Sequence, residues 1–229
     1  MPDPGPVLAD LAQHIDISCV QAQHAREDID ELVRQAVAGG FVSAHVLPEW
    51  LGYLRERLEG TGVLAGSPVS FPSGGATTAT KVAEASELLS LGAQELDVVV
   101  AIGRLRSGDD VYVTRELAAI VEVVDGRVPL RAILEVGRLD DDDIRRGVDA
   151  AIEAGVPWIK TGTGWSGVPT SIGHIRLIAD RADGRAALKA AGGIRDLETV
   201  RAMAELGVTR FGMNAPAALA AVDATKDPR

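Results

Sequence analysis

Short apolar runs alternate with longer amphipathic stretches eight times along this chain, and that rhythm leaves few folds open. The apolar runs read as strands over 15–18, 43–46, 63–70, 95–102, 130–136, 158–160, 187–190 and 210–212. The stretches between read as helices over 26–38, 48–58, 76–91, 109–124, 140–154, 171–182, 196–206 and 215–222, after a lead-in helix over 7–14. Local signals agree. Ile29, Leu32, Val33 and Ala36 recur at helical spacing on one face. Pro48 suits a first turn, the aspartates at 140–143 suit a positive helix N-terminus, and Asp196 is an N-cap residue type. Strands that are nearly apolar throughout belong to a parallel sheet buried on both faces. Eight βα units in 229 residues therefore predict one closed (β/α)₈ barrel, a single domain over 1–229 with flexible ends at 1–6 and 223–229. An open doubly wound sheet is the alternative, and it ordinarily has fewer units.

Hydrophobic residues make up 46% of the chain but aromatics only 3%, so Ala, Val, Leu and Ile must fill the core. The net charge of −10 argues against a nucleic-acid surface. It leaves room for an anionic small ligand, which backbone N–H groups can bind even on an acidic protein. Cys19 is the only cysteine, so no disulfide forms within the chain, in keeping with a reducing compartment. The opening Met-Pro-Asp-Pro-Gly-Pro lacks the basic and apolar regions of a signal peptide, and no apolar run is long enough to cross a bilayer. The expectation is a cytoplasmic protein with no membrane or nucleic-acid partner, assembled as a homodimer.

The chain writes its cations as nineteen arginines and only four lysines, yet two lysines sit in near-repeats. These are Trp158-Ile159-Lys160-Thr161-Gly162-Thr163-Gly164 and Ala187-Leu188-Lys189-Ala190-Ala191-Gly192-Gly193. Arginine does not lose its proton in proteins; lysine does, when burial and a neighbouring cation depress its pKa. A neutral amine attacks carbonyls and forms an imine. Lys160 and Lys189 end successive strands, so the first can attack while the second keeps it neutral. Lys81, at the start of a helical run, reads instead as a solvated helix residue, and Lys226 as a surface charge.

Asp97 stands inside the fourth strand, where a carboxylate must face the barrel interior or pair with a cation. Three ionisable groups in one barrel mouth perturb one another, which marks Asp97, Lys160 and Lys189 as site candidates. The other reading is a buried structural ion cluster. Gly192-Gly193 after strand seven and Gly212 at the end of strand eight suit the phosphate site that barrels often place there, with Arg195 adding charge, although Gly-Gly also makes a plain tight turn.

Taken in order, Ile15-Asp16, Ser70-Phe71-Pro72, Glu95-Leu96-Asp97, Leu134-Glu135, Lys160-Thr161 with Thr163-Gly164, and Lys189-Ala190 with Gly192-Gly193-Ile194-Arg195 resemble the deoxyribose-phosphate aldolases, a class I aldolase family on a (β/α)₈ barrel. The resemblance runs from Ile15 to about Gly212. It implies that Lys160 is the Schiff-base lysine, that Lys189 depresses its pKa, and that Asp97 relays protons with an ordered water. It further implies a sugar-phosphate substrate bound by Asp16, Thr161, Gly164, Gly192, Gly193, Arg195, Gly212 and Asn214, with no metal and no cofactor. The chain departs from the family's pattern at several places. Gly162 and Ala191 stand where the family has serine, and Met213, Asn214 and Ala215 stand where it has small and hydroxyl residues. His45 and Leu47 replace Cys and Asn, and Ala101 replaces an Asn. Two other readings follow: an aldolase acting on a different, less phosphorylated substrate, and a non-catalytic barrel that binds a sugar phosphate.

Overall fold

The computed structural model describes residues 3–226. Its strands are β1 (Ile15–Cys19), β2 (Ser43–Val46), β3 (Leu64–Val69), β4 (Glu95–Val99), β5 (Leu130–Ile133), β6 (Trp158–Lys160), β7 (Ala187–Ala191) and β8 (Val208–Met213). They close in chain order into one parallel barrel, with β8 paired back onto β1. The helices are α1 (Gly5–Ala9), α2 (Arg26–Gly39), α3 (Leu51–Arg57), α4 (Thr78–Ser90), α5 (Ile102–Arg106), α6 (Asp110–Val124), α7 (Asp141–Glu153), α8 (Ile172–Ala182), α9 (Leu197–Ala204) and α10 (Ala215–Lys226). This is the expected (β/α)₈ barrel.

The differences in detail have local causes. The lead-in helix splits into α1 and a 3-10 turn over Leu11–His14. The apolar run read as one strand over 95–102 ends at Val99, because Ile102 opens α5, which buries Leu105. An unbroken apolar run holds no period from which to place that break. Residues 5–6 and 223–226, expected as flexible, belong to α1 and α10; residues 1–2 and 227–229 lie outside the described residues. The expected cap at Asp196 forms, its Oδ1 accepting from the Thr199 N–H at 2.7 Å, and Asp140 caps α7 as well, its Oδ1 accepting from the Asp143 N–H at 2.8 Å. The core between barrel and helices is aliphatic, with Ile15, Ile17, Leu51, Leu54, Val98 and Leu117 among its buried members.

Lys81 is not solvated. It is fully buried on α4, donating to Glu116 Oε2 of α6 and to the Val99 carbonyl, each at 2.8 Å. Glu116 Oε2 also accepts the Ala101 N–H at 3.1 Å. The pair thus grips the backbone just beyond β4, two to four residues after Asp97. Removing either partner would strand a buried charge, at about 3–5 kcal/mol.

Candidate active site

Strand side chains alternate between faces, and in this barrel the inward positions are largely polar. Asp16 comes from β1, Ser43 and His45 from β2, Glu95 and Asp97 from β4, Arg131 from β5, Lys160 from β6, Lys189 from β7 and Arg210 from β8. All are buried except Lys160, whose side chain keeps 12% exposure at the mouth. The register brings them together: Asp97 lies opposite Arg131, and Lys160 opposite Lys189.

Lys160 Nζ donates to Asp97 Oδ2 at 2.8 Å, and Lys189 Nζ donates to the same oxygen at 3.0 Å. Lys189 Nζ also lies 2.9 Å from Asp16 Oδ1, an ion pair whose angle is too poor for a hydrogen bond. Arg131 bridges the two β4 carboxylates, donating to Asp97 Oδ1 at 3.1 Å and to Glu95 Oε1 at 2.8 Å. Arg210 closes the floor. Its Nη2 is 2.8 Å from both Glu95 oxygens and 2.9 Å from Ser43 Oγ, and its Nε lies 3.4 Å from Asp16 Oδ1. Gly212 leaves room for this cluster, since a Cβ there would meet Ala191 Cβ at 3.0 Å and Asp16 Oδ2 at 3.3 Å.

Burial alone would push the Asp97 carboxyl up, but the Lys160, Lys189 and Arg131 charges outweigh it and hold the group well below the usual carboxylate range. The same contest lowers Asp16, with Lys189 the strongest of the opposing charges. Glu95 is lowered too, against its burial, by the His45 hydrogen bond and by Arg131. Lys189 goes the other way. Burial brings its ammonium down to about 8, helped by Lys160 and Arg131 and opposed by Asp16 and Asp97. Four cationic side chains here face three carboxylates, one positive charge too many before His45 is counted. Guanidinium keeps its proton, so the excess falls on a lysine.

Above this floor opens a cavity of about 800 Å³. Asp16, Asp97 and Lys160 line its base, and Gly164, Gly192, Gly193, Arg195, Gly212 and Asn214 line its wall on the β6–β8 side. Gly164, Gly192 and Gly193 hold φ of 82°, 96° and 82°, open to glycine and strained for other residues. Asn214 caps α10, its Oδ1 accepting the Ala217 N–H at 2.9 Å, which leaves its amide N–H pair for a ligand. Thr161 departs from expectation: it does not line the cavity. Its hydroxyl donates to the Ala191 carbonyl at 2.8 Å and accepts the Ala191 N–H at 2.9 Å, tying β6 to β7. Asp16 lines the cavity mainly as a counter-ion of Lys189 and Arg210.

Sequence reasoning missed Glu95, Arg131, Arg210, Ser43, His45 and the Lys81–Glu116 pair. The fourth strand holds a second buried acid, Glu95, beside Asp97. The available signal was period two: Glu95 with Asp97, and Ser43 with His45, mark the inward face of otherwise apolar strands. One departure from the family pattern, Gly162, finds a local reason. A Cβ at Gly162 would sit 2.8 Å from Glu135 Oε1, and Glu135 grips the following loop by accepting the Thr163 N–H at 3.2 Å.

No family model matches the chain. It is 49% identical over 211 residues to a deoxyribose-phosphate aldolase of Sinorhizobium medicae, a match spanning 92% of this chain and 85% of the relative. To that of Klebsiella pneumoniae it is 45% identical over 207 residues, 89% of this chain and 83% of the relative. The tetrameric deoxyribose phosphate aldolase of Aeropyrum pernix superposes with a TM-score of 0.87 at 29% identity, covering 96% of this chain and 92% of that one. Barrel and relatives agree, and the chain belongs to the deoxyribose-phosphate aldolase family.

Proposed function

We propose that this chain cleaves 2-deoxy-D-ribose 5-phosphate reversibly to acetaldehyde and glyceraldehyde 3-phosphate through an imine on Lys160. The observation that carries the reading is the single carboxylate oxygen, Asp97 Oδ2, that both lysine Nζ atoms reach. Lys160 alone of the two extends to the cavity, while Lys189 is sealed beneath it. The neutral Lys160 amine attacks C1 of the open-chain sugar, and the carbinolamine loses water to an iminium. The C2–C3 bond then breaks as the C3 hydroxyl gives up its proton, and the electron pair flows into the iminium to form an enamine. Protonation of the enamine carbon and hydrolysis release acetaldehyde. Asp97 holds the Lys160 amine at the base of the cavity, and Lys189 keeps a positive charge on the same carboxylate oxygen.

The phosphate is proposed to rest against the Gly192 and Gly193 backbone, with Gly164 and Gly212 keeping the wall open and Arg195 and the Asn214 amide as donors. Met213 and Ala215 offer no hydroxyl there, which favours the second reading, an aldolase with a weakened phosphate preference. A cytoplasmic homodimer is the proposed setting; among the described residues no helix is long and apolar enough to cross a membrane. The test is borohydride reduction with acetaldehyde, followed by peptide mapping and by kcat/KM for deoxyribose with and without its phosphate. An adduct on Lys160 and faster turnover of the phosphorylated sugar are expected. An adduct on Lys189, or none, refutes the assignment, and equal turnover of the two sugars selects the second reading.

A further inference from the structure

His45 is buried, lines the cavity, and has no part in the chemistry described so far. Its surroundings are built around it. The imidazole lies on Gly66 of β3, where a Cβ would meet the ring at 2.3–2.6 Å, so the neighbouring strand leaves a side-chain-sized space for it. Nε2 is 3.0 Å from Glu95 Oε2, and Nδ1 lies 3.9 Å from Asp97 Oδ2, the oxygen that holds both lysines.

The partners fix the tautomer. Glu95 is held ionised by Arg131 and Arg210, so it only accepts, and His45 Nε2 must donate to it. That leaves Nδ1 as the basic nitrogen, too far from Asp97 for a direct hydrogen bond. Asp97 itself is poorly placed to take a proton, because Arg131 occupies Oδ1 and the two lysines occupy Oδ2. A carboxylate that orients an imidazole by its far nitrogen while the near one faces the reacting space is a general-base dyad. Both nitrogens stand beside one oxygen at the base of the cavity. A donor carbon α to the imine stands two bonds, about 2.5 Å, from Lys160 Nζ, and Nζ and His45 Nδ1 share Asp97 Oδ2 as a neighbour at 2.8 and 3.9 Å.

We propose that His45 Nδ1 is the proton carrier of the carbon–carbon step, with Glu95 as its positioning residue. In cleavage, Nδ1 takes the C3 hydroxyl proton as the C2–C3 bond breaks and its electron pair moves into the iminium. The imidazolium, held between the Glu95 and Asp97 carboxylates, then returns that proton to the enamine carbon. In synthesis the same proton travels the other way, from the donor α-carbon to the new alkoxide. One proton is taken and one returned, and no other reactant is needed. The assignment rests on the imine at Lys160 proposed above.

The test separates imine formation from proton transfer. Wild type and His45→Gln are incubated with acetaldehyde in D₂O; adduct on Lys160 is read by borohydride trapping, and methyl deuteration by NMR. The variant should trap donor on Lys160 while exchanging it about 10²–10⁴-fold more slowly, the usual share of general acid–base catalysis. Deuteration at the wild-type rate with trapping intact overturns the role of His45 and leaves the imine standing. No trapping in wild type overturns both. Should His45→Gln fail to fold, Gly66→Ala displaces the ring with the histidine retained, and His45→Ala with added imidazole offers rescue. Slowed exchange in Gly66→Ala, or imidazole-dependent exchange in His45→Ala, supports the carrier; wild-type exchange in either variant without imidazole overturns it.

Discussion

Replacing Lys189 with Met tests the electrostatics of the site through stability, independently of turnover. The ammonium is fully buried and its pKa is brought from 10.5 down to about 8, burial being the largest cause. The folded value is the lower one, so the folded protein sheds this proton first as pH rises. The charged form therefore penalises the fold in full below pH 8, the penalty fades between pH 8 and 10.5, and it is gone above. At 1.36 kcal/mol per pKa unit, the penalty comes to about 3 kcal/mol. Methionine has nearly the same length and no charge, so the variant lacks this pH dependence. Asp16 and Asp97 are ionised throughout the window in both proteins and cancel in the comparison. Urea unfolding at half-unit steps from pH 7 to 10.5 should show the wild type gaining about 3 kcal/mol on Lys189→Met as pH rises. A constant difference, or one that moves the other way, would mean that Asp16 and Asp97 fully compensate the burial of the ammonium, and the argument would fail.

Lys160→Arg should yield no borohydride adduct and no measurable cleavage, because guanidinium is not a nucleophile at neutral pH; a trapped adduct elsewhere on the peptide map would reassign the lysine. Asp97→Asn should slow turnover per folded molecule, since it removes the charge that holds the Lys160 amine, and also lower stability by about 3–5 kcal/mol, since it leaves the buried Arg131 and Lys189 and the half-buried Lys160 without their shared carboxylate; calorimetry alongside kinetics separates the two. Lys81→Met alone should destabilise by about 3–5 kcal/mol, and Lys81→Met with Glu116→Leu by much less, as expected where the loss comes from an orphaned charge. Met213→Thr, Asn214→Ser and Ala215→Ser together should lower KM for the phosphorylated sugar more than for deoxyribose, each restored hydroxyl bond contributing about 1.5–3 kcal/mol; no change in the ratio means that the Asn214 amide already serves.

The barrel was legible because eight short, mostly apolar strands alternate with amphipathic helices and are punctuated by glycine. Lys160, Lys189 and Asp97 stood out for a chemical reason, the scarcity of lysine and the cost of a charge in a strand. The ionic floor was harder to see. Arg131 sits between Leu130 and Ala132 and Arg210 between Thr209 and Phe211, and only the closed geometry turns both toward Glu95. Lys81 was misjudged by its charge; its spacing from Ala85 and Leu88, four and seven residues on, puts it on the buried face of α4.

The ionic floor also bears on how the barrel opens. Arg131, Arg210, Lys160 and Lys189 tie Glu95 and Asp97 of β4 to β5, β6, β7 and β8, while Asp16 and Ser43 bring in β1 and β2. A strand cannot peel away singly without leaving an unpaired charge in the interior, so partial openings of the sheet lie high in free energy. Amide hydrogens on these strands should therefore exchange together, at the rate of global unfolding, while those of the outer helices exchange through smaller local openings. The charges at the centre of the site make the sheet one cooperative unit, so the atoms that hold the reacting amine also set how the barrel unfolds.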